Sequence, residues 1–145
     1  MDSIEFLIDV STLERQQKAT EDVVKKLSDG SLVARAALVI ERQAKINATG
    51  RPGPKVQTGR LRASITTEVI DSNTARVGTN VFYAPFVEFG HRQTPGRFVP
   101  PLRKRLVADF APAYPFMGPT IEQCKDDLKD VVVTFGNELG TEWGK

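Results

Sequence analysis

Two hydrophobic periods meet in the middle of this chain, and their order limits the folds open to it. From Ser31 to Ala48 the apolar residues Val33, Ala37, Ile40 and Ala44 recur at spacings of three and four, the signature of one helical face. From Ile65 the period falls to two: Ile65, Thr67 and Val69 alternate, Asp71-Ser72-Asn73 offers a turn, and Ala75 and Val77 share one side of a second short strand. A β-hairpin is the economical reading. A chain of 145 residues has room for one domain with a modest core. The expectation is an α+β fold over residues 1–145, with a small antiparallel sheet packed against two to three helices and a long loop or arm at 91–114. The sheet is expected to hold three or more strands, to contain residues 64–70 and 74–79, and to be covered by helices near 31–48 and 119–135.

The flanking segments fill in the order of elements. Ile4, Phe6, Ile8 and Val10 alternate with polar residues and predict a half-buried strand over 3–10. Ser11 with Glu14 has the form of a capping box and opens a polar helix to about Leu27, with Leu13, Val23, Val24 and Leu27 as its sparse apolar positions. Asp29-Gly30 joins it to the second, antiparallel helix, which Gly50 stops. The loop TGRPGPKVQ at 49–57 excludes regular structure, and Thr58 caps a short turn through Leu61. Pro85 suits the start of a short helix and Gly90 the position past its end. Residues 91–115 hold five prolines and five cations and are the least regular stretch. A last helix from Pro119 carries Ile121, Cys124, Leu128, Val131 and Phe135, of which Cys124, Leu128 and Val131 are expected to be buried. Gly136 and Gly140 predict a fraying tail.

Chemistry is sparse. His91 is the only histidine, and Glu88 stands three residues before it, the spacing of an acid/base or metal couple on one helical turn. Gly90 between them ends that turn, and no second ligand cluster accompanies them. Cys124 lies on an apolar stripe, the usual place of a small buried thiol, and as the only cysteine it allows no intrachain disulfide. Nucleophile-elbow, phosphate-loop and zinc-protease patterns are absent. An enzyme is not expected, and no cofactor is implied. The net charge of +2 does not mark the whole chain as a nucleic-acid or membrane binder, no apolar run approaches the roughly 20 residues that span a bilayer, and MDSIEFLIDV has no basic leader or cleavage pattern.

Charge is instead clustered. Arg51, Lys55, Arg60 and Arg62 lie in and after the first loop, and Arg92, Arg97, Arg103, Lys104 and Arg105 punctuate the second. Such clusters suit sequence-independent contact with phosphates, although 18 acidic residues offer internal partners. Tyr83, Phe86, Phe89, Phe98, Tyr114 and Phe116 are more aromatics than loop contexts in a small domain readily bury, so some are expected to anchor an interface.

The order TGRLRASI, VGTNVFYAPFVEFG and PFMGP, followed by a terminal helix, resembles the gene-product-ten-like family of siphophage head-tail connector proteins, also described as neck or tail-completion proteins. The resemblance covers about residues 30–135. Its most specific parts are Thr58-Gly59-Arg60-Leu61, Tyr83-Ala84-Pro85 with Glu88-Phe89-Gly90, and Pro115-Phe116-Met117. It implies a virion protein of α+β fold that forms a ring, sixfold by expectation, between the capsid portal complex and the tail, and that is present in the host cytoplasm during assembly. The implied partners are its own copies, the neighbouring connector or stopper, and the tail terminator or tail tube, with transient DNA in the channel and no membrane. The subunit-interface candidates are Tyr83, Pro85, Phe86, Glu88, Phe89, Phe98, Leu102, Leu106, Phe110 and Phe116. The DNA-channel candidates are Arg51, Lys55, Arg92, Arg97, Arg103, Lys104 and Arg105. Two features depart from the family pattern: the segment from His91 to Tyr114 is longer than the usual link, and Gly118 stands where an arginine is common. The alternatives are a tail terminator, within the same class, and a small nucleic-acid-binding module that uses the basic loops.

Overall fold

Helix α2 (Ser31–Asn47) is the element on which the others are assembled. On it pack helix α1 (Val10–Ser28), helix α3 (Arg60–Ser64), the hairpin of β1 (Thr66–Asp71) and β2 (Thr74–Gly78), and the C-terminal helices α5 (Thr120–Gln123) and α6 (Lys125–Trp143). The computed structural model describes residues 10–50, 53–56 and 58–144. The strand expected over 3–10 therefore lies outside the described residues except at Val10, which already belongs to α1.

The α2 stripe folds as its spacing requires, with Ala37 and Ala44 buried and Val33 and Ile40 half-buried. Small residues at the centre of the stripe let the hairpin and α5 approach the helix axis closely. At its start, Gly30 adopts a left-handed φ of 76°, and a Cβ there would stand 3.3 Å from the Ser72 Cα, so the α1–α2 joint and the hairpin turn are packed together. Asp29 Oδ1 accepts the Ser31 amide at 2.8 Å, and this bond holds its carboxyl below the usual range.

The hairpin pairs antiparallel from Thr66↔Gly78 to Asp71↔Thr74, with an irregularity between Val69 and Asp71. Its turn is closed by Asp71 Oδ1, which accepts the Asn73 amide at 2.8 Å. Burial fades along it: Ile65 is sealed, Thr67 and Val77 are half-buried, and Val69 near the turn is exposed. Among the described residues this sheet has two strands, where three or more were expected. The remaining strands are two residues each and pair elsewhere, because Pro95, Pro100, Pro101 and Pro112 interrupt the ladder that would extend them.

The terminal helix also departs from expectation. It breaks at Cys124 into α5 and α6, and it packs on α1 and α2 while the hairpin is covered by α2. Cys124 and Phe135 are buried, Leu128 and Val131 are only half-buried, and Ile121 is exposed. The helix runs through Gly136 and Gly140 to Trp143, into the EWGK tail for which fraying is expected. Lys26–Glu142 at 3.2 Å and Arg35–Glu138 at 2.9 Å tie it to α1 and α2, and the Arg35 guanidinium lies 5.6 Å from the Phe135 ring centroid.

The core cluster consists of Ala44, Ala48, Leu61, Ile65, Ala84 and Phe116, with Val77, Tyr83, Val87 and Met117 packed against it. It takes one piece from each sequence motif. Leu61 comes from TGRL, Tyr83 and Ala84 from YAP, and Phe116 and Met117 from PFM, so the ordered motifs are the parts of one small core.

Candidate interaction surface

Helix α4 (Ala84–Phe89) organises the surface that the sequence motifs pointed to. Pro85 sits in its first turn, and Gly90 ends it at φ 73°. That glycine is required twice over, since a Cβ would lie 2.6 Å from the Ala111 carbonyl oxygen and 2.9 Å from the Phe110 ring. Inward, Ala84 is buried and Val87 packs on the core. Outward, Phe86 is half exposed and Phe89 is 76% exposed.

Glu88 belongs to the inside of the molecule. Its Oε2 accepts the amides of Phe116 at 2.8 Å and Met117 at 3.0 Å, and its Oε1 accepts that of Gly118 at 2.7 Å. The carboxylate thereby holds the PFMG turn in place ahead of α5. Gly118 fits because a Cβ there would already stand 3.0 Å from Oε1. Asn47 secures the other side of the turn: its buried amide donates to the Phe116 carbonyl at 3.1 Å, Thr120 Oγ1 at 3.3 Å and Gln123 Oε1 at 2.7 Å. Phe116 is thus corrected as an interface candidate, while Glu88 has a structural task within one copy. Phe116 is 1% exposed and fills the core, and Glu88 spends its oxygens on backbone amides. His91 is exposed and its ring lies 5.4 Å from that of Phe86, so the expected Glu88–His91 spacing joins no common site.

Residues 91–111, within the stretch expected to be a long loop or arm, form a self-paired arm. At its base β3 (His91–Arg92) pairs with β6 (Phe110–Ala111), and towards its tip β4 (Phe98–Val99) pairs with β5 (Lys104–Arg105). Between the two ladders, Gln93 N–H donates to Asp109 O at 2.8 Å, Gly96 N–H to Leu106 O at 2.7 Å and Leu106 N–H to Arg97 O at 2.9 Å. The tip is a single 3-10 turn, Pro100–Leu102, followed by Arg103 at φ 49°. Prolines occupy turns and strand ends, where a missing N–H costs nothing. The return strand is fastened to the body by Tyr114 N–H on Val87 O at 2.8 Å.

The arm carries Arg92, Arg97, Arg103, Lys104 and Arg105 against the single carboxylate of Asp109, and among the described residues none of the five forms an ion pair. Arg105 Nη1 donates to Gly96 O at 2.7 Å. Phe98, Leu102 and Phe110 are half exposed on the same arm, and Leu106 is partly covered. Lys55 lines a groove of about 490 Å³ with Pro54, Phe86, Val87, Tyr114 and the arm's base residues His91 and Ala111. Arg51 lies outside the described residues.

Sequence reasoning missed two residues here. Phe82, 77% exposed, stands in the turn just ahead of α4 and is a third exposed phenylalanine beside Phe86 and Phe89 in sequence. Asn47 ends a helix with no local signal that its amide would be buried.

No curated protein and no solved structure matches the chain. Residues 11–90, more than half of the chain, match the family model HK97-gp10_like, described as "Bacteriophage HK97-gp10, putative tail-component". The match takes in the TGRL, YAP and EFG motifs and stops at the base of the arm. The chain belongs to the HK97-gp10-like family of bacteriophage tail components.

Proposed function

We propose that the protein is a neck or tail-completion subunit that assembles as a closed ring, sixfold by expectation, between the portal complex and the tail and leaves a channel for DNA. Family membership supports a structural role in the phage particle. The observation that carries the finer reading is the arm, whose five cations form no ion pair among the described residues while exposed aromatics stand at its base. Identical copies in a ring meet head to tail, so each needs two unlike surfaces. Arg92, Arg97, Arg103, Lys104 and Arg105 would line the channel and meet passing DNA through screened phosphate contacts, weak enough not to hold it.

Ring neighbours would be a connector or stopper on the head side and a tail terminator or tail tube on the other. Antibody labelling of intact virions in the electron microscope tests the placement, with label expected at the head-tail junction. Label along the tail shaft or at its distal end would overturn it. The unpaired cations also favour a second reading, a nucleic-acid-binding module, and monomeric binding to duplex DNA in moderate salt with no label on virions would select it.

A further inference from the structure

The core opens to the surface beside the TGRL motif. A groove of about 580 Å³ there is floored by Ala48, Leu61, Tyr83 and Val87, which belong to the core cluster or pack against it. Its exposed lining carries Lys55, Arg60 and Arg62, and among the described residues none of the three forms an ion pair. An apolar floor under three cations suits a polypeptide segment that mixes apolar side chains with carboxylates. A phosphate backbone would meet the cations and leave the floor bare.

The sequence holds one stretch of that chemistry. The nine residues ahead of α1, MDSIEFLID, contain Asp2, Glu5 and Asp9, the apolar Ile4, Phe6, Leu7 and Ile8, and no lysine or arginine. No run of nine elsewhere in the chain joins three carboxylates to four large apolar side chains without a cation. Three acidic groups face three basic ones, and the alternation that predicts a half-buried segment calls for a surface to bury it.

The stretch also starts within reach. Near the first residues of α6, Gln123 Oε1 accepts the Asn47 amide at 2.7 Å, and Ala48 of the groove follows Asn47. At the other end of α6, Glu138 meets Arg35 and Glu142 meets Lys26, close to the end of α1. Helix α1 packs on α6 and is about 28 Å long, so it leads from there back towards the groove end of α2. Nine further residues can span about 30 Å.

We propose that residues 2–9 dock in this groove of their own chain, with their apolar side chains on Leu61, Tyr83 and Val87 and their carboxylates beside Lys55, Arg60 and Arg62. The tether supplies the segment at high effective concentration, so modest contacts suffice to hold it. Arg60 and Arg62, which the channel reading leaves aside, thereby gain a task, and the contact stands whether or not the chain forms a ring.

The test uses the full chain in a Cys124→Ala background, with cooperative thermal melts to show that each variant is folded. Val56 lines the groove and is half exposed, whereas Val107 on the arm is 92% exposed. With Phe6→Cys and Val56→Cys, a short bis-maleimide should join positions 6 and 56 within one chain at least tenfold faster than it joins positions 6 and 107 in Phe6→Cys with Val107→Cys. Arg60→Glu with Arg62→Glu should remove most of that advantage, and adding Asp2→Lys with Glu5→Lys should restore it. A rate no faster than the control, or one indifferent to these charges, would overturn the proposal. Joining chiefly between chains would overturn it too and give the groove to a neighbour's segment. An unjoined segment, with duplex DNA binding that the two arginine variants abolish, would give the groove to nucleic acid instead.

Discussion

Replacing Glu88 by alanine would remove one carboxylate and strand three backbone amides. The amides of Phe116 and Met117 are partly buried, whereas that of Gly118 is exposed and can bond to water instead. A hydrogen bond to a charged acceptor contributes about 1.5–3 kcal/mol, so the two sheltered amides set a loss of about 3 kcal/mol. For a domain of this size that lowers the thermal midpoint by roughly 6–12 °C. Glu88→Gln keeps one acceptor oxygen, which can serve Phe116 and Met117 with its amino group turned towards Gly118, and should cost about 1 kcal/mol. Urea unfolding of the three proteins, followed by circular dichroism, measures both differences. An alanine variant within about 0.5 kcal/mol of the parent would refute the claim that this carboxylate holds the turn carrying Phe116 into the core.

Phe116→Ala should cost about 3–5 kcal/mol and Leu128→Ala, at a half-buried site, about 1–2 kcal/mol; equal losses in urea unfolding would contradict the core drawn here. Glu41 is held below the ordinary carboxylate value of 4.5 chiefly by the hydrogen bond from Lys45, and Glu138 by that from Arg35. Their folded values lie below their unfolded ones, so this stabilisation is whole above about pH 4.5 and is lost as pH falls through the folded values. The urea midpoint should therefore stay level from about pH 7 to 5 and drop in more acid solution, less steeply in Glu138→Gln. Burial pushes the Cys124 thiol above its ordinary value of 9.0, so it should resist a thiol reagent at neutral pH until the protein is unfolded; rapid labelling of the native protein would contradict its placement.

The elements that could be read in the sequence are those whose hydrophobic period survives over several turns or strand residues. Helix α2 carries a stripe four residues deep, and the β1–β2 hairpin has both its alternation and its Asp71-Ser72-Asn73 turn. The arm had no such signal: strands of two residues cannot show a period, and four prolines between 95 and 112 disguised a paired hairpin as a loop. The inward tasks of Phe116 and Glu88 were hidden for a related reason. A phenylalanine flanked by proline and methionine before a helix resembles an exposed anchor, and only the fold brings residue 88 under residues 116–118. The aromatics Phe86, Phe89, Phe98 and Phe110 do reach the surface as the composition implied, and the arm gathers five of the seven proposed channel cations. Lys55 belongs to the loop after α2 and shares a groove with His91 and Ala111 at the base of the arm. The break at Cys124 has no counterpart in the stripe, which runs through it at unbroken spacing.

The central claim is that this chain works as a ring of identical copies, and native mass spectrometry of the purified protein, alone and bound to isolated tails, tests it most directly. The expected result is one discrete assembly, six times the 16.0 kDa of the chain, in solution or on the tails. A single 16.0 kDa species at every concentration, with none retained by tails, would contradict it.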